Sequence, residues 1–163
     1  MNYCKRLLNM NLHEQLAKAI EIAIEAHRGQ KDRSGQPYIG HPFRVMNAGK
    51  TCEEKIVGML HDVVEDTEWT LEELLSEGFS RTIVDAVEAM TKLPEEAYDI
   101  YLSRLKKNPI AARVKLNDLT DNMDIRRLHE IREDDVARLK KYLNAYRQLT
   151  FVEKLETSSG ITQ

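Results

Sequence analysis

Ile56-Val57-Gly58-Met59-Leu60-His61-Asp62-Val63-Val64-Glu65-Asp66-Thr67 runs an apolar stretch straight into a set of polar and ionisable side chains, with no turn signal between them. A helix here buries Met59, Leu60, Val63 and Val64, so His61, Asp62, Glu65 and Asp66 beside them need a compensating partner, because unpaired buried charge is very costly. At helical spacing His61 and Glu65 are i,i+4 neighbours, as are Asp62 and Asp66, and the four are expected to form one acidic ridge. A divalent metal ion would suit that ridge, leaving part of it free for catalysis.

Working outward, Leu16, Ala19, Ile20, Ala23 and Ile24 recur at three- and four-residue spacing between about Leu12 and His27, which predicts an amphipathic helix. It should stop in Arg28-Gly29-Gln30-Lys31-Asp32-Arg33-Ser34-Gly35-Gln36-Pro37, a loop by its glycines, serine and proline, and a basic one by Arg28, Lys31 and Arg33. Pro42 suits the first position of a helix, which would hold His41 at the N-cap or just before it. That helix runs to about Lys50, and the one bearing His61 begins at Glu53 and Glu54, where the helix dipole favours acids.

Downstream, Thr70 and Glu73 predict a capping box, and Ser80 caps a helix that ends near Leu93-Pro94. Ala97 to Lys107 reads as helical, and Asn108-Pro109 separates it from a helix carrying Ile110, Val114, Leu116 and Leu119 to about Met123. Val136, Leu139, Tyr142, Leu143, Tyr146 and Leu149 mark a last long helix, with fraying expected from Glu156 on. Only Ile110 to Leu116 is an apolar run that periodicity cannot distinguish from a strand. The expected fold is all-α, a compact array of seven to nine helices forming one domain, with its core at about residues 12–150.

At 163 residues the chain is long enough to bury a core without staples. Its net charge of -3 gives no global attraction to DNA, RNA or an anionic membrane, so any polyanionic ligand must be met by a local basic patch. Cys4 and Cys52 form no ligand pattern and read as reduced thiols. No signal-peptide core or membrane span is visible, which predicts a cytoplasmic protein with a small-molecule partner, and a homo-oligomer is compatible with it.

A second polar cluster, Asn117-Asp118-Leu119-Thr120-Asp121-Asn122, places Asp118 and Asn122 on one helix face. If that helix packs against the one bearing His61, Asp118 completes a metal site with His41, His61 and Asp62. Two imidazoles and two carboxylates suit manganese, iron or zinc better than calcium. Glu65 and Asp66, one turn on, are then placed to take the proton of an activated water. Taken singly, His41 reads as an ordinary capping residue and Asp118 as a salt-bridge partner. Lys31 and Arg33 read equally as a solvated loop, Tyr38 and Trp69 as packing residues, and Lys115 as either a phosphate-steering or a snorkelling lysine.

Gly35-Gln36-Pro37-Tyr38-Ile39-Gly40-His41-Pro42, then His61-Asp62-Val63-Val64-Glu65-Asp66-Thr67, then Val114-Lys115-Leu116-Asn117-Asp118 with Asn122-Met123 together resemble the HD-superfamily hydrolase domain of the RelA/SpoT alarmone enzymes over about Ala17 to Leu128. The resemblance implies an all-α manganese enzyme of the stringent response that removes the 3′-pyrophosphate of guanosine tetra- and pentaphosphate (ppGpp and pppGpp). It implies His41, His61, Asp62 and Asp118 as metal ligands, Glu65 and Asp66 as the water-activating pair, Asn122 as a nucleotide contact, and Lys31 and Arg33 at the guanine and phosphates. The chain's length beside the longer bifunctional members implies a stand-alone hydrolase without synthetase activity.

The sequence departs from the family in two places. Asp32 interrupts the basic loop, and the family's usual Ala-Asp-Arg-Leu-His-Asn-Met is here Asn117-Asp118-Leu119-Thr120-Asp121-Asn122-Met123. The lost arginine and the added Asp121 leave room for another 2′- or 3′-phosphorylated nucleotide as substrate. A module that senses nucleotide without hydrolysing it is the remaining alternative.

Overall fold

A computed structural model describes residues 10–159, and side chains for residues 10–150. The described residues form nine α-helices: α1 (Leu12–Ala26), α2 (Gly40–Ala48), α3 (Cys52–Leu60), α4 (Val63–Asp66), α5 (Leu71–Ser76), α6 (Arg81–Met90), α7 (Tyr98–Leu105), α8 (Pro109–Asn122) and α9 (Glu133–Ser159). A single 3-10 turn, Ile125–Arg127, follows α8. The fold is all-α, and Ile110 to Leu116 lies wholly within α8. Residues 156–159, expected to fray, continue α9, and residues 160–163 lie outside the described residues. So does Cys4, whereas Cys52 is a free thiol whose Sγ–H points to the Leu12 carbonyl.

Local chemistry sets most of the helix starts. Asn11 and Glu14 form a capping box on α1, and Thr70 and Glu73 form the expected one on α5. Thr51, Ser80 and Asn108 cap α3, α6 and α8, with Pro109 pre-organising the first position of α8. No helix among the described residues is long and apolar enough to cross a membrane.

Helix α3 is the centre of the array and packs against α1, α2, α6 and α8. Ile56, Val57, Gly58, Met59 and Leu60 are all buried, as expected for a helix whose C-terminal half is apolar around its whole circumference. Gly58 permits its closest contact: a Cβ there would lie 3.0 Å from both the Cα and the N of Met46 on α2. This approach brings the first turn of α2 beside the C-terminal end of α3, and α8 packs on both.

Two expectations about these helices are corrected. His41 is the second residue of α2 rather than its cap, because winding begins before Pro42, with Gly40 N–H bonded to Pro37 O and His41 N–H to Tyr38 O at 2.8 Å. Proline is tolerated there because first-turn amides have no helical partner. The helix through His61 is also not continuous. It stops at Leu60 and resumes at Val63, with Asp62 at φ -102° and ψ -4°. The Gly58 carbonyl, which a continuing helix would offer to the Asp62 amide, instead accepts the His61 Nδ1–H at 2.9 Å. The single acidic ridge is therefore split in two.

Candidate metal centre

The break in the helix turns His61 and Asp62 inward, toward α2 and α8. Nε2 of His41 and Nε2 of His61 lie 3.2 Å apart. Asp62 Oδ2 is 3.0 Å from His61 Nε2 and 3.7 Å from His41 Nε2, and Asp118 Oδ1 is 3.1 Å from His41 Nε2. His41, His61 and Asp118 are buried, and Asp62 is half-buried. The structure thus brings together all four residues expected to hold a metal, drawn from three separate segments.

Outer partners decide what these atoms offer. A carbonyl can only accept, so the bond from His61 to Gly58 O puts a proton on Nδ1 and leaves Nε2 as the nitrogen that faces the cluster. His41 Nδ1 donates to Asp121 Oδ2 at 2.6 Å, so its Nε2 likewise faces the cluster. Two imidazole Nε2 atoms and two carboxylate oxygens therefore converge on one point, which a proton or a metal cation must neutralise. Such a donor set demands a cation and fits a divalent metal ion.

The electrostatics point the same way. Burial opposes charge on the His61 ring, yet Asp62 and Asp118 outweigh it and raise its pKa to about 10. Burial likewise opposes charge on Asp118, while Lys115 and the two histidines hold its carboxyl well below the usual range. Lys115 Nζ sits 2.7 Å from Asp118 Oδ2, so this lysine is a half-buried counter-charge beside the cluster rather than a free phosphate-steering group. Tyr38 donates its O–H to Asp62 Oδ2 at 2.5 Å, with its ring beside those of His27 and His41.

Glu65 and Asp66 are exposed on α4, just after the cluster's Asp62 in sequence and within reach of its charge. Glu65 Oε2 accepts the Lys92 N–H at 2.8 Å, and Asp66 N–H caps back to the Asp62 carbonyl at 2.9 Å. Partial desolvation, with the Asp62 charge adding to it, raises both carboxyl pKa values.

A cleft of about 180 Å³ opens onto His41 and Tyr38 and is lined on its other sides by Lys31, Arg33, Asn122, Arg127 and Arg138. Lys31 and Arg33 are exposed on its rim. Asn122 lines it too, but its amide donates to Asp118 Oδ1 at 2.6 Å and so supports the cluster.

Asp32 does not stand free in the basic loop. Its Oδ1 accepts from the Ser34 and Gln36 amides at 2.9 Å each and closes the loop, which Lys31 and Pro37 join in an isolated antiparallel bridge. Its Oδ2 lies 3.7 Å from Arg127 Nη1.

Arg127, Asp121, Arg44 and the Tyr38 hydroxyl escape sequence reasoning. Leu119, where the related motif has arginine, is buried in the core, and the guanidiniums near the cluster come from Arg44 on α2 and Arg127 beyond α8. Arg44 Nε bonds Asp121 Oδ1 at 2.6 Å, and Arg127 Nη2 bonds Asp121 Oδ2 at 3.1 Å. The two arginines and His41 outweigh burial and hold Asp121 at about 2. The sequence signals for this cage were the added Asp121 and the Arg126-Arg127 pair just after Met123.

The HD domain family profile matches residues 19–156. A guanosine-3′,5′-bis(diphosphate) 3′-pyrophosphohydrolase of Aquifex aeolicus is 32% identical over 140 residues, which cover 78% of this chain and 20% of that protein. A protein of the same description from Haemophilus influenzae is 33% identical over 74% of this chain and 20% of its own length. A GTP pyrophosphokinase of Streptomyces coelicolor is 32% identical over 83% of this chain and 17% of its own. The chain thus spans about a fifth of the length of these relatives.

Among solved structures, one described as a metazoan orthologue of SpoT that hydrolyses ppGpp superposes with a TM-score of 0.68 at 19% identity, covering 83% of this chain and 84% of that one. At that identity the likeness establishes the fold alone. With the profile match across most of its length, this chain belongs to the HD domain family, and within it to the RelA/SpoT type that its three motifs resemble.

Proposed function

We propose that the chain is a manganese-dependent hydrolase that removes the 3′-pyrophosphate from guanosine tetra- and pentaphosphate, with its core acting as a single domain. The observation that carries this reading is the convergence of four metal-compatible donor atoms, from His41, His61, Asp62 and Asp118, at the end of a cleft lined by Lys31, Arg33, Arg127 and Arg138. A divalent ion held by those four residues would polarise a phosphoryl oxygen and acidify the attacking water. The names of the relatives from Aquifex and Haemophilus support the substrate.

In this mechanism the four cations orient the substrate's phosphates, and Asn122 sits where cleft and cluster meet. The water oxygen bonds to the phosphorus attached to the 3′ oxygen while that ester bond breaks. The water's proton goes to the Glu65 or Asp66 carboxylate, and the departing 3′ oxygen acquires a proton as the free hydroxyl. A carboxyl whose pKa is raised is the better base, and desolvation beside Asp62 raises both.

Purified protein with manganese is expected to release pyrophosphate from guanosine tetraphosphate. Asp62→Ala should abolish metal binding, whereas Glu65→Gln should keep it and lose turnover by about 100-fold or more. No pyrophosphate from a metal-loaded sample would sink the reading. Leu119 in place of the related motif's arginine favours one alternative, another 2′- or 3′-phosphorylated nucleotide, which faster turnover in a nucleotide panel would identify. Tight nucleotide binding without any product would mark a sensing module.

A further inference from the structure

The related motif carries histidine where this chain has Asp121, and an added carboxylate beside a phosphate cleft looks like a liability. Its surroundings say otherwise. Asp121 has two oxygens and is approached by four N–H donors: His41 Nδ1 at 2.6 Å, Arg44 Nε at 2.6 Å, Arg44 Nη2 at 3.1 Å and Arg127 Nη2 at 3.1 Å. Two guanidiniums therefore balance its charge, and both of its oxygens are taken up by donors.

We propose that Asp121 is a positioning residue that locks His41 in the tautomer with its proton on Nδ1, and so holds the Nε2 lone pair toward His61 Nε2, 3.2 Å away. This rests on the metal reading above. A carboxylate is the one side chain that can accept from His41 and from both arginines at once, because every lone pair on it accepts. An amide in the same place offers a single oxygen. With Arg44 donating on one side, the amide turns its NH2 toward His41, whose Nδ1 must then accept, and the ring proton moves to Nε2. A ring protonated on Nε2 has no lone pair for a cation.

A carboxylate outside the imidazole also raises the basicity of the ring nitrogen that faces inward. Loss of such an outer partner typically costs about 10- to 100-fold in metal affinity. Arg44 supplies the contrast, since it binds Asp121 Oδ1 and Oδ2 but not His41, and it bolts α2 to α8.

The test is calorimetric titration of the metal-free protein with manganese, together with proton NMR of the imidazole N–H resonances in the zinc-loaded protein. In the wild type, the His41 Nδ1–H should appear as a strongly hydrogen-bonded, downfield signal. Asp121→Asn should bind manganese about 10- to 100-fold more weakly and lose that signal, while Arg44→Gln should stay within about threefold of wild type.

Equal affinity in Asp121→Asn and wild type overturns the proposal, as does an equal loss in Arg44→Gln, which would make Asp121 only a structural bolt. If Asp121→Asn does not fold, the wild-type spectrum decides alone: a His41 proton on Nε2 overturns the proposal, and one on Nδ1 supports it. Failure of the wild type to bind manganese at all would instead bring down the metal reading beneath it.

Discussion

Tyr38 shows how much one hydroxyl can settle. Its O–H reaches Asp62 Oδ2, the oxygen that also lies 3.0 Å from His61 Nε2, so it fixes the rotamer of a carboxylate that only half-buried surroundings would leave mobile. Tyr38→Phe keeps the ring against His27 and His41 and removes only that bond. The expected result is manganese affinity about tenfold weaker with an unchanged fold, read by titration and circular dichroism. Affinity equal to wild type would mean that Asp62 needs no such support. An aromatic residue beside a proline reads in sequence as a packing group, and its partner lies 24 positions on, so this role was illegible. The proximity of His41, His61, Asp62 and Asp118 was legible because His61, Asp62 and Asp118 interrupt apolar runs with metal-compatible side chains and His41 sits at a helix entrance beside Pro42.

Helix α3 shows the same division one level up. Its start was readable, because acids at Glu53 and Glu54 belong to the first turn, and so were the Thr70 box and the Ser80 cap, all of them decided within four residues. Its end was not, because it depends on a side chain: the His61 ring engages the Gly58 carbonyl, and the ridge expected from i,i+4 spacing splits. Gly58 itself gave no sequence signal beyond its place in an apolar run, yet α2 passes within contact of it. Gly58→Val puts branched carbons where even a Cβ would lie 3.0 Å from the Met46 backbone, and backbone cannot swing aside as a side chain can. We expect destabilisation of about 1–3 kcal/mol from overpacking. That corresponds to a fall of about 2–4 °C in melting temperature per kcal/mol for a domain of this size. An unchanged melting point would show that the two helices do not approach so closely.

Across the whole molecule, the site depends on α3 and α8 keeping their relative position, and Glu54 with Arg113 ties them together away from the cleft. Glu54 is buried, accepts the Lys50 N–H at 2.7 Å and meets Arg113 Nε at 2.5 Å. Burial pushes its carboxyl up, but the Lys50 amide and Arg113 outweigh that and leave its pKa lowered in the folded state. Its stabilising contribution is therefore complete above the unfolded carboxyl range of about 4.3 and is lost as pH falls through the lower folded value. Glu54→Gln should cost about 1.5–3 kcal/mol at neutral pH and flatten the acid limb of stability, measured by urea unfolding across pH 3–7. An acid limb as steep as wild type would place that dependence elsewhere.

The walls of the cleft were the least legible feature at this scale, since the Ser34 hydroxyl bonds the Arg127 carbonyl across 93 positions of sequence. The same latch bears on the thermodynamics of capture. With Asp32 closing the 31–37 loop and Ser34 fastening it, the basic rim is already shaped before any anion arrives. The ordering entropy that a slack loop would lose at each encounter is here lost once, when the chain folds, and more of the attraction remains to appear as affinity.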